Sequence, residues 1–558
     1  MSAFLRSTLV AALLLPSLQL IVLGDDAKAP TLDSGLAAAD KLYRAGRFVD
    51  AEASYEALLK TDSKLVPAQV GLIRTMLALG QVNEAVLTVN AAKAAQPNSA
   101  ALLSVTGDIQ FRKGEMSDAE KWYLAAEERD PKEISAHLGL ARWYRSSSLY
   151  RKAYDQLKIA HEIAPDDFAV QTAWLTTLPQ KQRIAALESY LSNTNPDHLE
   201  ETKLMTEYLE FLKTAAEQST HACRLVSKVE QTETNLEPIR ATSSHRIRGI
   251  GLATKVNDQN ALLQLDTGAS GIVLDRKVAE KAGLARISTA HMRGIGDHGE
   301  RSGYRALADH IRIGELEFQD CVVLVTDKPQ PDFHGLIGAD VFASYLVDIN
   351  LPGMRLRLSP LPKRPEDAVA PTFLSSEAGE PEDAEQENST SSEQIPTDQT
   401  SFAPSPKSPQ HLPRDRYIAS EMVNWTQVFR FGHMILLPTN VNGSKPMLFL
   451  LDSGSPGDVL STRAAEQVST VHPQNRMGFS GLSGKVDQVY ISSEATLRFA
   501  RVEQRITDIT TFNLSSIGQG YTEVSGLLGF ATLKLLEVKL DYRDGLVDFE
   551  YDSKRGKR

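Results

Sequence analysis

Four marks recur along the first third of the chain at one interval of 34 residues. Gly46, Gly80, Gly114 and Ser148 form one series, and Ala51, Ala85, Ala119 and Ala153 a second. Pro97, Pro131 and Pro165 form a third, and Tyr55, Val89, Tyr123 and Leu157 follow each alanine by four residues. A fixed step of this size argues for stacked units, each burying its apolar face on the next, rather than one central core. Gly, or Ser in the last unit, supplies the left-handed residue that ends a first helix. The small Ala lets a second helix approach its neighbour. Pro then ends that helix, because it has no N–H to donate and its ring blocks the preceding turn.

This pattern resembles the tetratricopeptide repeat, a 34-residue helix–turn–helix unit. Residues 32–215 are therefore expected to form an all-α solenoid, with looser helical patterns at Arg183–Leu191 and Glu200–Thr214 as an atypical cap. The resemblance implies a concave surface for a peptide or protein partner. A spacer, or a platform packed on the rest of the chain, is the alternative.

The 558 residues exceed what one core can organise, so further domains must follow. Between Leu361 and Gln410 the acidic residues outnumber the basic ten to three, with eight prolines. Such a segment cannot bury enough apolar area to fold, and 361–412 reads as a disordered linker. It separates 222–360 from 413–555, two segments of short alternating apolar runs with Gly and Asn turns, the pattern of β structure. A net charge of −11 argues against a general nucleic-acid binder, and two cysteines exclude a disulfide scaffold or a Cys-rich zinc protein. At the N-terminus, Arg6 precedes an apolar run from Leu9 to Leu23 that ends at Gly24. Residues 1–24 read as a cleaved signal peptide of a secreted or periplasmic protein, with an uncleaved anchor as the alternative and no membrane contact after cleavage.

The two β-rich segments repeat one another. The apolar strand Ala261–Leu265 runs into Asp266-Thr267-Gly268, and Met447–Leu451 runs into Asp452-Ser453-Gly454. Each is preceded by a hairpin turn, Asn257-Asp258 or Asn442-Gly443, and followed by a short helical stretch, Arg276–Gly283 or Arg463–Ser469. Gly335-Leu336-Ile337-Gly338 lies 69 residues beyond the first Asp, and Gly526-Leu527-Leu528-Gly529 lies 74 beyond the second. A closing strand pair is expected at Leu346–Leu358 and Leu536–Tyr551.

Both segments resemble retropepsin-like aspartic protease domains. The resemblance implies mainly-β acid-protease folds and a catalytic aspartate in each, Asp266 and Asp452. Two carboxyls a hydrogen bond apart cannot both ionise, so they share one proton. One carboxylate can then draw a proton from a water while the other protonates the peptide carbonyl, with no metal, cofactor or covalent intermediate. Each such domain supplies one Asp. The expected assembly is an intramolecular pseudo-dimer within a monomer, with pairing between chains in a homodimer as the alternative. The Thr267 and Ser453 hydroxyls are expected to brace the two loops, against simple loop capping, and Gly268 and Gly454 to allow the sharp turn. Gly294, Gly296 and Gly299, and Gly478 and Gly481, mark two flap hairpins, against plain surface hairpins.

The G-x-G-x-x-G of Gly294–Gly299 leads into Glu300-Arg301-Ser302-Gly303, a poor helix start, which speaks against a dinucleotide site. His291, His298 and His334 lack metal-ligand spacing. Export makes a Cys223–Cys321 disulfide the expectation, and two buried thiols the alternative. Two functional readings stand. One is an exported aspartic endopeptidase acting on peptide or protein substrates, with the repeats recruiting substrate or partner. The other is a non-catalytic envelope scaffold that binds proteins through both modules.

Overall fold

The computed structural model describes residues 31–193, 223–365 and 412–551, less 243–244, 293, 300, 328–331, 474–478 and 518–521, together with 205–206, 208–210 and 212–213. The expected signal at 1–24 and the expected linker between 366 and 411 lie outside the described residues.

The 34-residue period becomes four helix pairs. They are α1 (Leu32–Arg44) with α2 (Phe48–Thr61), α3 (Val66–Ala78) with α4 (Val82–Ala95), α5 (Ala100–Arg112) with α6 (Met116–Arg129), and α7 (Ile134–Ser146) with α8 (Tyr150–Ile163). Helices α9 (Phe168–Leu175) and α10 (Gln180–Asn193) continue the stack. Gly46, Gly80 and Gly114 turn with φ of 72°, 78° and 76°, and Ser148 adopts 56° at the fourth equivalent position. The alanines are fully or almost fully buried, as close helix approach requires. Tyr55 and Tyr123 lie against glycines of the following helices. A Cβ on Gly71 would fall 2.4 Å from the Tyr55 ring, and one on Gly139 2.3 Å from Tyr123.

The period also carries charge. Asp40, Arg74, Asp108 and Arg142 occupy equivalent positions, and Asp108 binds Arg74 at 3.3 Å and Arg142 at 2.6 Å. Tyr55 donates to Asp40 and Tyr123 to Asp108. The Asp108 carboxyl sits below the ordinary carboxylate range: burial opposes its ionisation, but the two arginines and the Tyr123 hydroxyl outweigh it.

The two β units share a strand plan. In the first, Gly335–Gly338 runs parallel to Gln259–Asp266 and antiparallel to Ile272–Asp275. In the second, Gly526–Leu528 runs parallel to Met447–Leu451 and antiparallel to Val459–Ser461. The expected hairpin turns carry Asn257 and Asn442 at positive φ, 47° and 51°. The short helices form at Arg276–Lys281 and Thr462–Val468. The closing strand pairs of both units merge in one six-stranded sheet, in which Val347 faces Leu540 and Ile349 faces Val538 across the seam. Cys223 and Cys321 are joined by a disulfide that ties the start of the first unit to its strand Leu316–Thr326.

The array does not stand apart. Phe111, Met116, Tyr123 and Leu140 share an apolar cluster with Met434, Leu436, Leu448 and Leu450 of the second β unit. Thr522 donates to the Phe111 carbonyl at 2.8 Å, and the Glu523 N–H to that of Arg112 at 2.9 Å. Asp415 accepts from the backbone N–H of Arg151 and Lys152, closing the N-terminus of α8. The expectation that neighbouring repeats alone satisfy one another fails here because the Gly114 turn and the ends of α5 and α7 present apolar side chains that pack against the second unit as well. The packing makes the array a platform on the second unit rather than a spacer. Phe111→Ala empties a site shared by both parts and is expected to lower stability by about 3–5 kcal/mol. Helical and β signals should fall together on heating; loss of the helical signal alone would separate the two parts.

The ends of the expected linker are anchored near each other. Arg364 pairs with the buried Asp544 at 2.6 Å, and Arg364, Pro365 and Leu412 to Tyr417 line one recess against Arg151. Little span is then required of the connecting segment, and halving its length changes closure entropy by only about 0.6 kcal/mol. Excising most of 366–411 should leave the unfolding temperature unchanged. A clear loss after removing ten residues would contradict this.

Candidate active site

Each Asp-[Thr/Ser]-Gly loop begins where an apolar strand runs out beside a Gly-ended strand. Gly338 lies opposite Asp266, and the Asp452 N–H donates to the Leu528 carbonyl at 3.0 Å. Only glycine fits beside these loops: a Cβ on Gly338 would lie 2.5 Å from the Ala269 carbonyl oxygen, and one on Gly529 2.1 Å from that of Gly457.

The two loops are bonded to each other. Thr267 Oγ1 donates to the Leu451 carbonyl at 2.8 Å and accepts from the Ser453 N–H at 2.9 Å. Ser453 Oγ donates to the Leu265 carbonyl at 2.8 Å and accepts from the Thr267 N–H at 3.0 Å. All four bonds cross between the units and are buried, so none competes with water. Gln264 adds a fifth crossing bond, Nε2 to the Gly454 carbonyl at 3.2 Å.

This bracing brings the carboxyls together. A Cβ on Gly454 would stand 2.3 Å from Asp266 Cγ, and one on Gly268 3.0 Å from Asp452 Cγ. Asp266 Oδ1 accepts from the Gly268 N–H at 2.8 Å, and Asp452 Oδ1 from those of Gly454 and Ser455 at 3.0 and 2.9 Å. Burial pushes both carboxyls above the ordinary range, Asp452 far more, because the Asp266 charge adds to its burial. For Asp266 the Gly268 N–H and a hydrogen bond from Asp452 work the other way. Two buried carboxyls held this close disfavour ionising together.

The flap candidates also meet. Gly294 donates its N–H to Ser483 Oγ at 3.0 Å, Ser483 its N–H to the Ile295 carbonyl at 3.0 Å, and His298 its N–H to the Ser483 carbonyl at 3.0 Å. Asp297 Oδ2 accepts from the Asp487 N–H at 2.7 Å. Gly481 and Gly484 pair in a short hairpin, Gly296 and Gly299 turn at positive φ, and Gly478 lies outside the described residues. Gly294–Gly299 connects two strands, Ala285–Met292 and Arg301–Ile313, rather than a strand and a helix. His334 Nδ1 accepts from the Leu262 N–H, and no metal-holding cluster occurs among the described residues.

Several site residues carried no signal in the sequence. Asp340 accepts from Ser270 Oγ and the Gly271 N–H, holding the first loop to the segment after Gly338. In the second unit the roles are exchanged: Asp458, in the loop, accepts from Thr532 Oγ1 and the Gly529 N–H. Because acid and hydroxyl swap places, aligning the two loops by residue type hides the pair.

Residues 252–341 match the family model described as aspartyl protease, and residues 42–109 match that of the tetratricopeptide repeat. The chain thus carries an aspartyl protease-like region behind a tetratricopeptide repeat region. Among solved structures it is similar to a thermophilic tetratricopeptide repeat protein of Thermus thermophilus. The identity is 22%, over 33% of this chain and 99% of that one, with a TM-score of 0.27. A tetratricopeptide repeat protein from Parabacteroides merdae matches at 15% identity, over 34% and 81%, with a TM-score of 0.23. The comparison with curated proteins gives no match.

A raised carboxyl binds its proton more tightly in the folded chain. Its stabilising contribution is complete below the ordinary value of 3.8 and is lost as pH rises through the raised folded value. Asp452→Asn keeps an oxygen for the Gly454 and Ser455 N–H groups and offers an N–H to Asp266. It should match the native chain in unfolding free energy near pH 3 and exceed it at pH 8. Equal stability at both would contradict a shared proton.

Proposed function

We propose that the chain is an aspartic endopeptidase in which two retropepsin-like domains of one chain supply a single dyad, Asp266 and Asp452. The observation that carries this reading is the reciprocal Thr267–Ser453 bracing, which presses two buried carboxyls into a proton-sharing pair. Asp266, ionised, takes a proton from a water held between the carboxyls. Asp452, protonated, gives its proton to the carbonyl oxygen of the peptide bond. The resulting tetrahedral carbon has gained its oxygen from water, and proton return to the amide nitrogen releases two peptides. The flap segments, bonded through Ser483 and Asp297, close over the extended substrate and open to admit it. The Cys223–Cys321 disulfide supports action in an oxidising compartment after export. The array serves the peptidase both as a platform and as a protein-binding surface.

A peptide-library cleavage assay across pH 3–8 tests the reading. The native chain should cut internal bonds, and Asp266→Asn and Asp452→Asn should each lower kcat at least a thousandfold, since neither carboxyl can carry both proton transfers. Full activity in Asp452→Asn would remove the mixed dyad, and no cleavage by the native chain at any pH would favour the scaffold.

A further inference from the structure

We propose that the helical array is a positioning element of the dyad: the last carbonyls of α5 hold Thr522 and Glu523, and with them the strand Gly526–Leu528 that seats the Asp452 loop. The proposal rests on the peptidase reading above.

The two β units anchor their glycine-led strands alike up to one point. Before Gly335, the His334 N–H donates to the Leu262 carbonyl at 2.8 Å, and the Asp275 N–H to the His334 carbonyl at 2.9 Å. Before Gly526, the Ser525 N–H donates to the Leu448 carbonyl and the Ser461 N–H to the Ser525 carbonyl, both at 2.8 Å. His334 adds a bond from its ring, Nδ1 accepting from the Leu262 N–H at 3.0 Å, and serine has no ring to do the same. Three residues before each glycine the two units part. In the first, Asp332 accepts from the Thr242 N–H at 3.1 Å and binds Arg248 at 3.0 Å, so the unit secures this segment by itself. In the second, Glu523 takes that place. Its carboxylate binds Arg463 at 2.8 Å, but its backbone turns to the array.

The last carbonyls of a helix have no N–H to bind within it. Phe111 and Arg112 end α5, and the Arg112 carbonyl takes the Glu523 N–H at 2.9 Å. The Phe111 carbonyl takes the Gly114 N–H at 3.0 Å and, in a buried setting, the Thr522 hydroxyl at 2.8 Å. Aromatic contacts keep these carbonyls in place. The Phe431 ring meets Phe111 edge-on at 5.9 Å, and Phe429 meets Trp143 edge-on at 6.2 Å. Trp143 is itself fixed by its indole N–H, donated to the Met116 carbonyl at 2.8 Å. The path onward to the dyad is short. Leu528 follows Thr522 by six residues, lies opposite Leu451, and accepts the Asp452 N–H on its carbonyl at 3.0 Å. The array thus supplies the second unit with the hold that Thr242 and Arg248 supply within the first, and it does so on the strand against which Asp452 rests.

The test uses the full chain. Thr522→Val keeps the shape of the side chain and removes the donor. It should lower kcat about tenfold with KM little changed, because a misplaced carboxyl slows chemistry more than binding, and Thr522→Ser should restore the rate. Gly114→Ala presses on the same segment from the array side, since its Cβ would stand 3.3 Å from the Glu523 carbonyl oxygen, and should lower kcat in the same way. Gly80→Ala makes the same change one repeat earlier, at φ 78° against 76°, with nothing within 4 Å. It carries the same backbone strain and should leave kcat as it is. Amide hydrogen exchange reads the positioning without turnover. The Asp452 amide should exchange faster in Thr522→Val and Gly114→Ala, while that of Gly338, bonded to the Gly271 carbonyl in the first unit, should not. An unchanged Asp452 amide, equal acceleration of both amides, or an equal loss of kcat in Gly80→Ala would overturn the proposal. If the native chain cleaves nothing, the peptidase reading falls, and the exchange rates still decide whether the array positions the Asp452 loop.

Discussion

The structure turns on two hydroxyls. Thr267 and Ser453 each bond the backbone of the opposite unit twice, as donor and as acceptor, in a setting closed to water. A buried backbone group left without a partner costs about 1–3 kcal/mol, so neither loop reaches its resting shape alone. The close carboxyl pair and the glycine at each loop follow from that mutual dependence. The six-stranded seam supports the same arrangement from outside, where Val347, Ile349, Val538 and Leu540 bury one apolar stripe common to both units.

The second dependence runs from the array. Its buried alanines, tyrosines and positive-φ turns are what a stacked solenoid needs for itself. Phe111, Trp143 and Gly114 go further and meet the second β unit. The charge ladder Asp40–Arg74–Asp108–Arg142 is internally paired over most of its length, and the Arg142 guanidinium also rests 4.6 Å from the Phe111 ring. The third and fourth repeats therefore pack into the second β unit, while α1 to α4 form another apolar cluster that α5 joins through Leu102, Val105 and Ile109.

Much of this was legible in the sequence because it repeats. The 34-residue step placed the helices, and two copies of strand, Asp-[Thr/Ser]-Gly and Gly-x-x-Gly at similar offsets placed the loops. Asn257 and Asn442 announced their hairpins by type. What stayed hidden depends on unlike partners. Asp340 with Ser270, and Thr532 with Asp458, exchange roles between the units. Gln264 reads as one polar residue in an apolar strand until Gly454 is beside it. The contact of the array with the second unit was illegible because Phe111 and Trp143 look like ordinary helix residues. Their partners, Phe431 and Phe429, lie some three hundred residues on.

The central claim is that one chain completes one dyad. The most direct measurement is the binding stoichiometry of a peptide analogue carrying a hydroxyl in place of the scissile amide, taken by calorimetry on a sample whose mass is fixed by light scattering. The proposed intrachain dyad predicts one analogue per chain, on a monomer, at any protein concentration. One analogue per two chains, or binding that appears only as the protein associates, would show that the site is made between chains.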